Sequence, residues 1–370
     1  MALKTMLEEM MSRGASDLHL RVGVRPCLRI DGQLTPMDLP AMTAEEVEEV
    51  VTQILSEEQK RRFVARQEMD LALGVAKLGR FRINMFRQRG TSGVAIRSVH
   101  TTVPTFEDLH LPDIVRKLCE QHRGLVVVTG TTGSGKSTTM AAMIEEINAT
   151  RAENILTVED PIEYIFRDRQ SIVSQREVGG DTESFASGLR HAFRQDPDVV
   201  LIGEIRDVET MMIALTAADT GHLVVTTLHT LNAVETISRI ISFFPPHQHQ
   251  QVRLMLHGTL SAVICQRLLP RSDGPGRIPA IEVMIGTAAV RDAILDPGKT
   301  STIHDLIESG ATQYGMQTFD QSIMRWYRQN MISYETASAN ATNSDDFDLR
   351  LRGITGASER GWREFELRNG

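Results

Sequence analysis

Leu125 to Thr138 reads LVVVTGTTGSGKST, and this stretch decides the fold. Four apolar residues, Leu125 to Val128, lead into Gly130-Thr131-Thr132-Gly133-Ser134-Gly135-Lys136-Ser137, a complete G-x-x-x-x-G-K-[ST] loop. Helix-forming sequence follows from Thr138 to Ile147. A buried strand that delivers such a loop to a helix N-terminus turns consecutive backbone N–H groups around phosphate oxygens. Lys136 is then placed to reach the β- and γ-phosphates, Ser137 offers its hydroxyl to Mg²⁺, and the helix dipole adds positive potential. The expected ligand is a nucleoside triphosphate with its Mg²⁺, held by Gly130 to Thr138.

The 370 residues suffice for two or three domains with real cores. Hydrophobic residues make up 41% and charged residues 24%, as in ordinary globular proteins. A net charge of −8 argues against a chain built to coat nucleic acid. The three cysteines, Cys27, Cys119 and Cys265, have neither disulfide-framework nor metal-site spacing, so reduced structural thiols in a cytoplasmic protein are expected. At the N-terminus, Leu3, Met6, Leu7, Met10 and Met11 form one helical face interrupted by Glu8 and Glu9, unlike a signal peptide. No apolar run reaches membrane-spanning length, so work at a membrane would go through partners.

Residues 1–99 read as one α/β unit. Strands are expected at Asp17 to Leu20 and Cys27 to Ile30, with a hairpin turn at Asp31-Gly32. A helix starts after Thr43, another spans Glu57 to Phe63, and strands follow at Asp70 to Leu73, Gly79 to Gln88 and Gly93 to Val99. The second of these alternates apolar Phe81, Ile83 and Met85 with Arg80, Arg82, Asn84 and Arg87. Residues 100–110, with Pro104, read as a linker. From 111 to 354 strands alternate with long helices, the pattern of a mostly parallel sheet covered on both faces. Its strands are expected at 124–129, 154–159, 172–175, 199–203 and 223–227, and its helices at 183–194 and 209–218. From about Ala233 the chain reads as mainly helical, with a polar interruption at Arg271 to Gly276. Residues 355–370 read as a loosely ordered or partner-dependent tail.

Three further segments carry chemistry. Val199 to Ile202 is an apolar strand running through Gly203 into Glu204, an acid placed to hold Mg²⁺ through water or to orient attacking water. Ile155 to Tyr164 ends a strand with Glu159, Asp160 and Glu163, three acids close enough to demand Mg²⁺, arginine or a raised pKa. Thr220 to Thr230 brackets a short apolar strand with His222 and His229, candidates for sensing a γ-phosphate rather than metal ligands.

The blocks GTTGSGKST, TVEDPIEY, DVVLIGEIRD and TGHLVVTTLHT resemble the Walker A, Asp box, Walker B and His box of the type II/IV secretion ATPases. GASDLHLRVG and GRFRINMF resemble the PAS-like N-terminal domain of the pilus retraction branch, and QREVG and YGMQTFDQSI extend the likeness. The resemblance implies a RecA-like motor domain behind a PAS-like domain, assembled as a cytoplasmic homo-hexamer that hydrolyses ATP. It implies an inner-membrane pilus platform protein and a paralogous retraction ATPase as partners, at the base of the pilus and without membrane insertion. By the same resemblance Glu204 is the Walker B acid, Glu163 polarises the attacking water, and His222 and His229 sense the γ-phosphate. Arg82 and Arg97 match the arginine fingers, with Arg80 adjacent; a planar guanidinium suits charge on a transferring phosphoryl group.

The match is uneven in two places. Ala289 to Asp296 keeps only the arginine of the AIRNLIRE-like segment of retraction motors. Asp345 to Ile354 looks more like the accessory, PilU-type, retraction ATPases. Assembly and type II secretion ATPases carry a further N-terminal domain and a four-cysteine zinc site, which this sequence does not match. A nucleotide-binding ring subunit without hydrolysis is the reading from outside the enzyme class.

Overall fold

The computed structural model describes residues 3–30, 32–99 and 102–351; the segment 355–370 read as a tail lies outside them. The chain divides into two compact units, Met1–Thr102 with Ile162–Ile165, and Val103–Pro161 with Phe166–Gly370.

The first unit opens with α1 (Leu3–Ser12), which buries Leu3, Met6, Leu7 and Met10 at helical spacing. Met11 stays outside this stripe and is exposed. Three short strands follow: β1 (Asp17–Arg21), β2 (Cys27–Ile30) and β3 (Gln33–Pro36). Then come α2 (Ala44–Ile54) and α3 (Glu57–Arg66). Both helices begin with reciprocal capping boxes, Thr43 with Glu46 and Ser56 with Gln59. The strands β4 (Glu68–Val75), β5 (Gly79–Gln88) and β6 (Thr91–Ser98) complete an antiparallel sheet of order β3-β2-β1-β6-β5-β4. On β5 the expected alternation is observed, with Phe81, Ile83 and Met85 fully buried.

The second unit is a seven-stranded sheet with helices on both faces. Its elements run α4 (Asp113–Leu118), β7 (Gly124–Thr129), α5 (Lys136–Thr150), β8 (Asn154–Glu159), β9 (Ile172–Glu177), α6 (Phe185–Ala192), β10 (Val199–Ile202), α7 (Val208–Asp219) and β11 (Leu223–Leu228). They continue with α8 (Ala233–Ser242), α9 (His249–Thr259), β12 (Leu260–Pro270), β13 (Arg277–Ile285), α10 (Ala288–Leu295), α11 (Ile303–Ser309) and α12 (Ala311–Tyr314). The last are α13 (Phe319–Arg328), α14 (Tyr334–Asn340) and α15 (Ser344–Leu351). The sheet order is β13-β12-β7-β11-β10-β8-β9, parallel except for the β12–β13 hairpin. β7 supplies both cores: Leu125 and Val127 join one hydrophobic cluster, Val126 and Val128 the other. Burial on both faces explains why its sequence is a continuous apolar run. This is a P-loop, RecA-like α/β unit behind a smaller α/β unit.

Most elements after Ala233 are helices, as expected, but one hairpin departs from that reading. Leu260–Pro270 and Arg277–Ile285 are two long paired strands, and the polar stretch from Arg271 to Gly276 is their hairpin turn. LSAVICQRLLP is apolar almost throughout, and periodicity alone cannot separate such a run from a buried helix. Pro279 is tolerated inside β13 because β13 is the sheet edge.

The hairpin returns to its foot at Gly286, where an added Cβ would lie 2.1 Å from the Leu260 carbonyl oxygen. Gly286→Ala therefore has to move backbone, and the expected cost is about 1–3 kcal/mol. The check is the denaturation midpoint of the purified variant; an unchanged midpoint would show that the hairpin foot is looser than described.

Candidate nucleotide site

The phosphate loop follows directly from β7. Gly130 adopts φ 142°, and a side chain there would strike the Gln266 carbonyl oxygen at 2.3 Å and Ser134 Oγ at 2.5 Å. Only glycine fits. Gly135 caps α5 with a left-handed conformation, so the first N–H groups of a 15-residue helix open toward the loop. Lys136 is the first residue of that helix and is only 8% exposed. Its ammonium donates to the carbonyls of Gly130 and Thr131, each at 2.9 Å. Burial pulls its pKa below the usual lysine value, and the Glu204 carboxylate offsets part of that effect. Ser134 Oγ is buried with no hydrogen-bond partner among the described residues. A dehydrated lysine, an unpartnered hydroxyl and a glycine cradle at a helix N-terminus together fit a phosphate chain. Thr131, Thr132, Gly133 and Ser137 are exposed along the same loop, with Thr138 half-buried behind them.

Glu204 follows β10, two strands from β7, and His229 follows β11 between them. Parallel register carries all three strand ends to one edge of the sheet. Glu204 forms an ion pair with Arg206, and His229 Nε2 lies 3.2 Å from Glu204 Oε2. Arg206 also reaches Asp160 at 3.9 Å. Arg206, within the block DVVLIGEIRD, is the cation beside Glu204. Gln266 carries no local signal in the sequence, because its strand is an apolar run that fits a buried helix equally well. Its Oε1 accepts from Thr139 Oγ1 at 2.8 Å, tying α5 to β12 behind the loop.

The three acids expected to crowd one strand end have different surroundings. Glu159 turns inward, 9% exposed, and accepts hydrogen bonds from Thr157 Oγ1 at 2.6 Å and Gln175 Nε2 at 3.1 Å. Asp160 is exposed near Arg206. Glu163 is exposed in the stretch Ile162–Ile165, which groups with the first unit. A strand sends successive side chains to opposite faces, so Glu159 turns inward and Asp160 outward.

His222 is not brought to the phosphate loop. It precedes β11 and its carbonyl accepts from Gly124 N, at the opposite sheet edge from Gly130. Along the strand it is about 23 Å from His229. Its Nδ1 lies 2.9 Å from the Ala217 carbonyl oxygen and its ring meets Phe193 edge-on at 5.2 Å. The pairing of His222 with His229 as γ-phosphate sensors therefore has geometric support at His229 alone.

In the first unit Arg82 lies directly opposite Arg97 on neighbouring strands, and Arg97 lies opposite Asp17. Asp17 accepts from Arg97 Nε at 2.7 Å and Ser16 Oγ at 2.7 Å, with Arg29 Nε 3.8 Å away. Burial alone would raise the Asp17 carboxyl, but the Ser16 and Arg97 hydrogen bonds outweigh it and hold it below the usual aspartate value. Arg82 is exposed and has no ion pair among the described residues. Arg80 lies on the same face of β5, two residues away. Cys119 and Cys265 are buried thiols, the first pushed up to about 12 by burial. Among the described residues no histidine, cysteine and carboxylate cluster could hold a metal ion by itself, and no helix is long and apolar enough to cross a membrane.

A family model described as "Type II/IV secretion system protein" matches residues 1–351. The chain belongs to this family. It is 41% identical over 354 residues to the type IV pilus ATPase PilU of Pseudomonas aeruginosa, covering 95% of this chain and 92% of that protein. It is also 41% identical over 335 residues to the PilT type IV pilus retraction ATPase of the same organism, covering 90% and 96%. The crystal structure of the pilus retraction motor PilT with bound ADP superposes with a TM-score of 0.87 at 43% identity, covering 94% of this chain and 98% of that one.

Removal of the loop ammonium gives a direct check of the site. ADP at about a hundredfold its dissociation constant is expected to stabilise the wild type by about 2.7 kcal/mol. Lys136→Met should lose most of that stabilisation while keeping its ligand-free melting temperature close to the wild type, as read by thermal denaturation with and without ADP.

Proposed function

We propose that this chain is a P-loop ATP hydrolase that works as a homo-hexameric ring and powers type IV pilus retraction. The observation that carries the reading is the gathering of the Gly130–Ser137 loop, buried Lys136, Glu204 and His229 at one sheet edge. That edge belongs to a chain matching PilT and PilU over nearly its whole length. Lys136 and the loop N–H groups bind the β- and γ-phosphates, and the Ser134 hydroxyl finds its partner there. Ser137 and Glu204, the latter through water, would hold Mg²⁺, which neutralises phosphate charge when bound. Glu204 sits between Arg206 and His229, so its carboxylate is oriented before nucleotide arrives. His229, beside it, is placed to register the γ-phosphate, and Glu163 is proposed to polarise the attacking water.

The fingers are proposed to be Arg82 and Arg97 of the first unit. The two are not equivalent. Arg97 is already matched by Asp17, whereas Arg82 brings an uncompensated guanidinium. A charge that is matched only when phosphoryl transfer develops negative oxygens contributes to turnover rather than to ground-state binding.

Partners follow from the same reading: an inner-membrane pilus platform protein at the cytoplasmic pilus base, and a paralogous retraction ATPase. An accessory, PilU-like role is the second reading, favoured by near-equal identity to PilU and PilT and by a match to PilU that covers 95% of this chain. An assembly or type II secretion role is less well supported. The type II secretion protein E of Klebsiella pneumoniae is 35% identical over 73% of this chain but only 54% of its own length is matched, and only three cysteines are present here.

Arg82→Ala is expected to lower kcat at least about a hundredfold while changing the ATP dissociation constant less than about threefold; equal losses in both would give Arg82 a structural role. In cells, deletion should leave surface pili abundant and abolish twitching. Bald cells would overturn retraction in favour of assembly.

A further inference from the structure

The block YGMQTFDQSI contributes nothing to the nucleotide site, yet its first residues line a cavity of about 840 Å³ within the second unit. The cavity lies between the segment leading into α4 and the α12–α13 region, against the end of β13. Ile285 at that end pairs with Ala262, which pairs with Val126 low on β7. The cavity is therefore at the sheet edge opposite the phosphate loop.

Its walls are Phe106, Leu111, Tyr314, Met316 and Trp326, with the Arg325 guanidinium set among them. Arg325 is the unexplained group. Its Cζ lies over the Trp326 ring, 4.3 Å from the centroid, its Nε is buried with no acceptor, the residue as a whole is half-buried, and its side chain forms no hydrogen bond or ion pair among the described residues. Burial pushes its pKa down to about 10, with Asp113 offsetting only part of the effect. By contrast Arg116, in the same wall, is matched by Glu107 at 2.7 Å and Glu146 at 3.4 Å and lies over Phe106. An unpaired guanidinium that is partly withdrawn from water in an apolar wall gains from an anion brought beside it.

We propose that this cavity is a second ligand site that binds a small organic monoanion, with a flat apolar body between the aromatic walls and one carboxylate, sulfonate or phosphate-type group on Arg325. The volume falls in the range of small-molecule sites, about 300–1,000 Å³. A single charge is favoured over several because one cation is unmatched inside, while Glu107 and Asp113 stand at the cavity wall. Exposed Lys117, which has no ion pair among the described residues, adds attraction at the rim. Arginine rather than lysine suits this task, because guanidinium both stacks on an indole and presents paired N–H donors.

The probe is anilinonaphthalene sulfonate, an aromatic monoanion, titrated calorimetrically into the full chain. One saturable site per chain is expected, retained in Lys136→Met and undisturbed by a non-hydrolysable ATP analogue with Mg²⁺. Arg325→Met should weaken it at least about tenfold, as expected for losing a charge-assisted pair of hydrogen bonds. Lys117→Glu, on the surface and so safe for folding, should weaken it about threefold by adding negative charge even if Arg325→Met does not fold. Absence of saturable binding, displacement by the nucleotide, or affinity unchanged in the folded variants would each overturn the proposal. Binding confined to dissociated chains and lost on ring assembly would give the cavity to a neighbouring copy and overturn it equally.

Discussion

A lysine ammonium held inside a protein must be compensated, and the second unit is organised around that requirement. Lys136 is buried at the start of α5 and rests on two carbonyls of its own loop. Those contacts satisfy donors but bring no full negative charge, so the ammonium remains short of an anion. The loop can curl tightly enough to offer them only because Gly130 accepts a backbone position closed to other residues. The seven-stranded sheet supplies the rigidity behind this. β7, buried on both faces, fixes where the loop begins, and Gln266 of β12 pins Thr139 of α5. Glu204 and His229 then share the loop's sheet edge because parallel strands deliver their ends together.

The same logic distinguishes residues that sequence alone grouped together. Glu204 and His229 sit at carboxyl ends of neighbouring strands, while His222 sits at an amino end. Glu159, Asp160 and Glu163 occupy five positions but three environments. Arg82 and Arg97 face each other across a sheet, yet Asp17 compensates one and leaves the other. A matched charge is already held in place, whereas an unmatched charge is free to meet an incoming anion. Arg325 in the far cavity falls into the second group, which is why it points to a ligand.

Much of this was legible in the sequence. The phosphate loop, the strand leading to Glu204 and the alternation on β5 each rest on a local rule with a short period, and they were readable at nearly the observed boundaries. The β12–β13 hairpin was not, because LSAVICQRLLP buries both faces and leaves no polar alternation to read. With that hairpin hidden, Gln266 could not be found. The role of Arg206 depends on where Glu204 and Asp160 lie in space, and His222 and His229 look alike in sequence although they stand at opposite ends of one strand. Long-range pairing decides such matters, and no local pattern encodes it.

The central claim is that this site hydrolyses ATP rather than merely holding it. Steady-state phosphate release by the purified chain with Mg²⁺, for wild type and Glu204→Gln, tests it most directly. Measurable turnover is expected in the wild type, with a loss of at least about a hundredfold in Glu204→Gln and nucleotide affinity preserved. A wild-type protein that binds ATP without releasing phosphate, or a Glu204→Gln variant with undiminished turnover, would contradict it.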